Sequence, residues 1–223
     1  MYLIKLIIIK AATIVYFLNS ALAFDETCIN SNNFPFCLYK DSEISFKILR
    51  YEEGEDKEEV GWHKVKFNRL KNGYEVITNG YVEVPYLLLL EYVFQYSAKS
   101  LWIDNNLQSY EGKVDDDGDE YTISINKINN ELKITDKDGE TKIVNSAFPS
   151  VHWHPHELKA KTIINLLTGD VVDISISRID NNTWYFDGEI KYFISFDESG
   201  KWTGLKFKPD EDSIMEYICD NCN

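Results

Sequence analysis

The sequence predicts an all-β chain built from antiparallel strands, and three observations carry that expectation. Short runs of β-branched and aromatic residues recur, each ended by an Asn, Asp or Gly turn, among them Asn72-Gly73, Asn79-Gly80, Asp117-Gly118, Asn129-Asn130, Asp138-Gly139 and Ser199-Gly200. Such turns at roughly ten-residue spacing mark consecutive hairpins. Within the runs, apolar residues alternate with polar ones. Successive side chains of a strand point to opposite faces, so alternation gives one buried and one wetter face. Third, no segment carries the 3.6-residue apolar period of a long amphipathic helix.

Taken from the N-terminus, residues 1–23 read as a signal peptide. Lys5 and Lys10 precede an apolar run from Ala11 to Leu18, and Ala21-Leu22-Ala23 is a small-x-small cleavage pattern. A membrane anchor needs about 18 to 20 unbroken apolar residues, and Lys10 interrupts this stretch. The expectation is a cleaved leader and a soluble chain starting near Phe24. It has no stable membrane insertion and a periplasmic or secreted location.

Residues 24–43 form an N-terminal arm with Cys28 and Cys37, while Cys219 and Cys222 lie near the other end. In an oxidising compartment four cysteines suggest two disulfides, with three connectivities open. Cys219-Asp220-Asn221-Cys222 also has the spacing of a redox motif. Such a motif works at a helix N-terminus that lowers the thiol pKa, whereas this one follows a strand-like run.

Residues 44–223 then read as a single β domain. Ile44, Phe46 and Ile48 share one strand face; Val172, Ile174 and Ile176 share another; Ile190, Tyr192, Ile194 and Phe196 a third. Tyr51 to Glu59 carries six acids and reads as an exposed loop. Two stretches depart from the alternation. Tyr86 to Phe94 is apolar on both faces, which suits a central strand or the lining of an apolar cavity. Glu157 to Leu167 fits neither period, leaving a short helix or an irregular strand. Trp62, Trp102, Trp153, Trp184 and Trp202 fall one per strand region, as in a layered β core. The formal net charge of −14 repels nucleic acid and anionic headgroups, so no nucleic-acid partner is expected.

The densest concentration of chemistry is Val151 to Glu157, which holds His152, His154 and His156. On an extended strand those three imidazoles share a face. Neutral imidazoles suit zinc or copper, and three ligands with an open position make a catalytic or transport site. Glu157 is placed to assist as a base. Pro155 restricts His154 and bends the run, and the strand rise spaces the ligands widely, so the side chains must lean inward or a fourth group such as His63 must help. The acidic run Asp115 to Glu120 resembles a calcium loop, but counting from Gly118 puts Lys113 and Ser124 where acids are required. There is no nucleophile elbow, phosphate-binding loop or HExxH. Asn181-Asn182-Thr183 is a glycosylation sequon.

In order, Gly61-Trp62-His63, Tyr92 to Tyr96, Trp102-Ile103-Asp104, Asp115 to Gly118, His152-Trp153-His154-Pro155, Leu166 to Gly169 and Phe196 to Trp202 resemble domain-of-unknown-function family 6134, a family of exported bacterial proteins. The resemblance runs from about Ser45 to Ile218. It implies a single antiparallel, strongly curved sheet, a half-barrel like that of the LolA and LolB lipoprotein carriers, and it brings no catalytic residue. The family tends to have an acid where this chain has Ser100, and asparagine where it has His154. The function expected is that of an exported, non-catalytic binder of an apolar small molecule or lipid, or an envelope accessory protein. The alternative is a metal-binding protein or metal-dependent hydrolase using His152, His154 and His156. Zinc or copper there is the one cofactor entertained.

Overall fold

The computed structural model describes residues 26–86, 90–189 and 191–222. The signal-peptide segment, Leu87 to Leu89 of the doubly apolar run and Ile190 lie outside the described residues. β1 (Glu43–Glu52), β2 (Glu58–Arg69), β3 (Tyr74–Tyr86), β4 (Leu90–Ile103), β5 (Asn106–Asp116), β6 (Asp119–Ile128), β7 (Glu131–Thr135) and β8 (Thr141–Val144) follow one another as antiparallel hairpins. Asp117 and Gly118, both at positive φ, make the two-residue β5–β6 turn, because their φ matches the twist of the flanking strands.

An insertion then leaves the sheet. It contains β9 (Phe148–Pro149), a 3-10 helix at Pro155–Lys159, β10 (Thr162–Ile164) and β11 (Val171–Asp173). β9, β10 and β11 form a small sheet of their own, in which β9 and β10 are parallel. The chain returns through β12 (Ser175–Arg178), β13 (Thr183–Asp187), β14 (Tyr192–Phe196), β15 (Trp202–Phe207) and β16 (Ser213–Cys219). β16 pairs with β1, Phe46 opposite Cys219. The result is one 13-stranded antiparallel sheet, ordered β12-β13-β14-β15-β16-β1-β2-β3-β4-β5-β6-β7-β8.

The sheet is strongly curved and not closed. Phe46, Phe67, Trp102, Tyr110, Ile125, Phe186, Ile194 and Trp202, from strands across its width, converge on one buried core. The insertion contributes Trp153 and Ile164 to that core, and the N-terminal arm contributes Ile29, Phe34 and Tyr39. Both pieces therefore fill the hollow of the half-barrel. The edge strands β8 and β12 are four residues each, short enough to offer little template for pairing with another chain.

Several expectations change at this level. Asn79-Gly80 is not a turn but the middle of β3. Val172 to Ile176 is not one strand, because Ile174 is where the chain passes from the small sheet to the large one. Glu157 to Leu167 is both things in succession, the end of a helix and then β10. Trp62 leaves the layered core; it is 40 % exposed on the outer face, with the Lys64 ammonium over its ring. Of the three cysteine connectivities, the local one is formed, Cys28–Cys37 and Cys219–Cys222.

Candidate functional site

Between the curved sheet and the insertion lies a cavity of about 250 Å³. The sheet supplies Tyr96, Ala98, Trp202, Leu205 and Tyr217; the insertion supplies Val151, Ile163, Leu166, Leu167 and Ile174. The insertion is held over the sheet by tyrosines donating to it. Tyr39 Oη reaches the Trp153 carbonyl at 2.8 Å, and Tyr110 Oη the Leu166 carbonyl at 2.7 Å. Tyr39 Oη in turn accepts from the Trp202 backbone N–H at 3.2 Å, so one buried hydroxyl ties arm, insertion and sheet together.

The polar end of the cavity begins with strand register. His63, Gly80 and Tyr96 are directly opposite one another on β2, β3 and β4. A Cβ at Gly80 would collide with the Tyr96 ring. The missing side chain lets that ring lie across β3, so that the Tyr96 hydroxyl meets His63 Nδ1 in a hydrogen bond. Tyr96 also hydrogen-bonds Tyr217. Burial, with the nearby His152 as a lesser cause, holds the His63 pKa down to about 3, so the ring is neutral. Burial raises the Tyr96 hydroxyl well above its ordinary value, and that of Tyr217 to about 12.

His152 enters from the insertion, in the left-handed backbone region at φ 57°. Its ring packs 5.5 Å from Trp202 and 5.4 Å from Tyr192, centroid to centroid. Behind it stands the fully buried Glu157. That carboxylate accepts the His152 backbone N–H at 2.8 Å, faces its Nδ1 at 3.3 Å, and accepts the Tyr192 hydroxyl at 3.2 Å. Three donors satisfy a buried carboxylate that would otherwise be costly. Burial and the neighbouring Glu157 push the Tyr192 hydroxyl upward.

The three clustered histidines do not all converge: the His154 and His156 rings lie 5.0 Å apart, centroid to centroid, and His152 faces elsewhere. His152 turns toward the cavity, while His154 packs among Phe34, Trp102 and Phe148 and is fully buried. Pro155 and the helix behind it break the extended run that a shared face requires. His154 caps the 3-10 helix, its Nδ1 accepting the His156 backbone N–H at 3.2 Å. Its ring hydrogen therefore sits on Nε2, which leaves that nitrogen no lone pair for a metal. Among the described residues, no group of three or more His, Cys, Asp or Glu is placed to hold a metal ion. Ser100 also finds a role: its Oγ accepts the buried Trp102 indole N–H at 2.9 Å.

Sequence reasoning reached His63 only as a spare ligand, and missed Tyr96, Tyr217 and Trp202. The readable signal was a glycine inside a strand, which marks close approach of another group.

This is a curved antiparallel sheet whose hollow is plugged by its own insertion, with an apolar cavity left between them. The chain belongs to the family described as Domain of unknown function (DUF6134), which it matches over residues 52–220. Among solved structures it is similar to the beta-barrel-like protein of domain of unknown function DUF1849 from Brucella abortus. The TM-score is 0.52 at 10 % identity, covering 79 % of this chain and 94 % of that one. At that identity the likeness concerns the fold. No curated protein matches the chain.

Proposed function

We propose that the protein is an exported, non-catalytic binder of a small apolar molecule or acyl chain, which it holds between the half-barrel and its insertion. The observation that carries this reading is the cavity of about 250 Å³ with its mainly aliphatic and aromatic walls. An apolar cavity of about 150 Å³ in another protein is enough to take up benzene, so this one suits a ring system or one short chain. The two disulfides favour an oxidising compartment, periplasmic or extracellular. No helix of the described residues is long and apolar enough to cross a membrane.

Thermal unfolding with saturating cyclohexane tests the reading. A ligand that binds only the folded state raises the midpoint. The wild type is expected to shift upward and Ala98→Phe, which fills the cavity, is not. Equal shifts in both, or none in either, would refute it.

A further inference from the structure

The cavity's polar groups are mostly committed to the protein itself. Tyr110 donates to the Leu166 carbonyl, Ser150 Oγ accepts the Leu166 N–H at 3.2 Å, and Asn165 Oδ1 accepts the Leu167 N–H at 3.0 Å. No lysine or arginine is among the described residues lining the cavity, and Glu189 stands among them. An anionic head would find no fixed cation there and two carboxylates, Glu157 and Glu189, close by.

One group left open beside the apolar wall is the outer edge of the His152 ring. Glu157 already accepts hydrogen bonds on both oxygens, from the His152 N–H and the Tyr192 hydroxyl. As a carboxylate it acts as an acceptor toward His152 Nδ1 too, which places the hydrogen of the neutral imidazole on Nδ1. Nε2 is left with its lone pair, and no described residue bonds it. An acceptor with no donor, beside a mainly apolar wall, is completed by a ligand that brings the donor.

We propose that the cavity selects a neutral amphiphile bearing a hydroxyl, whose O–H donates to His152 Nε2 while its apolar body packs against Trp202, Leu205 and Ile163. This rests on the cavity reading above and adds the chemistry of the head. The pairing of Glu157 with His152 is what makes the site read hydroxyls, so Glu157 is a positioning residue.

Isothermal titration of the disulfide-bonded protein with n-octanol, octanoate and octylamine, which share a tail and differ in the head, tests the proposal. Octanol is expected to bind about tenfold tighter than either charged analogue, the size of one well-made hydrogen bond. His152→Phe is expected to weaken octanol by about three- to tenfold. Octanoate or octylamine binding as tightly as octanol, or His152→Phe leaving octanol unaffected, would overturn it. If that variant does not fold, the ranking of the three heads on the unaltered protein decides. Should cyclohexane stabilise the protein while the three heads bind alike, the hydroxyl proposal falls and the cavity reading stands. Failure of all four probes removes both.

Discussion

Gly80 shows how much a single missing side chain can determine. It lies between His63 and Tyr96 in the strand register, and only its bare backbone lets the tyrosine ring cross β3 to the imidazole. Gly80→Ala is expected to push that ring aside, costing about 1 to 3 kcal/mol as an overpacked core does. Chemical denaturation measures the loss, and an unchanged midpoint would mean that the ring is free to move. Ser100 makes a comparable prediction. Ser100→Ala leaves the Trp102 indole N–H without an acceptor in the core, at a cost of about 1 to 3 kcal/mol; Ser100→Thr, which keeps the hydroxyl, is expected to lose much less.

His63 adds a pH dependence at the same scale. Its pKa is about 3 when folded and about 6.5 when unfolded. Between those values the unfolded chain binds the extra proton, so stability is complete above about pH 6.5 and declines as pH falls toward 3. His154, also held low by burial, adds in the same direction. Each contributes a slope of at most about 1.4 kcal/mol per pH unit. Denaturation between about pH 6.5 and pH 5, above the range where carboxylates titrate, is expected to show a shallower slope in His63→Gln than in the wild type. Identical slopes would contradict the assignment.

At the scale of elements, the N-terminal arm and the insertion act together as the plug. The Cys28–Cys37 bond closes a short loop in the arm, whose Phe34 stacks on Trp153 of the insertion. Chain-entropy arguments put such a loop at about 3 kcal/mol. Cys28→Ser with Cys37→Ser is therefore expected to lower unfolding stability by about that amount. Much of this level was legible from residues alone. Alternation placed β1 and the inward face of β14, and Asp117-Gly118 placed a hairpin turn. The failures share one cause, which is that periodicity is blind to which sheet a strand joins. Val172 to Ile176 alternates without a break in sequence, yet Ile174 is the junction of two sheets. Asn79-Gly80 has turn chemistry, yet partners on both sides keep it extended. Likewise, three histidines at alternate positions were plain in the sequence, while the parting of His152 from the other two depends on a helix starting at Pro155.

At the scale of the whole molecule, a half-barrel this wide cannot fill its hollow with its own side chains. The insertion and the arm occupy most of it, and their docking leaves the cavity. None of the polar pairings at the cavity's end, His63 with Tyr96 or His152 with Glu157 and Tyr192, was available from sequence spacing, except that Glu157 stood beside the histidines. Those pairings arise from register and from the way the insertion folds back, both properties of the assembled chain. The central claim is that the space between sheet and insertion is a ligand site rather than a packing defect. Native mass spectrometry of the protein purified gently from its own host tests it most directly. The account predicts a co-purifying small apolar molecule on the wild type, absent from Ala98→Phe prepared alongside. A bare wild-type mass, in a protein that cyclohexane does not stabilise, would contradict it.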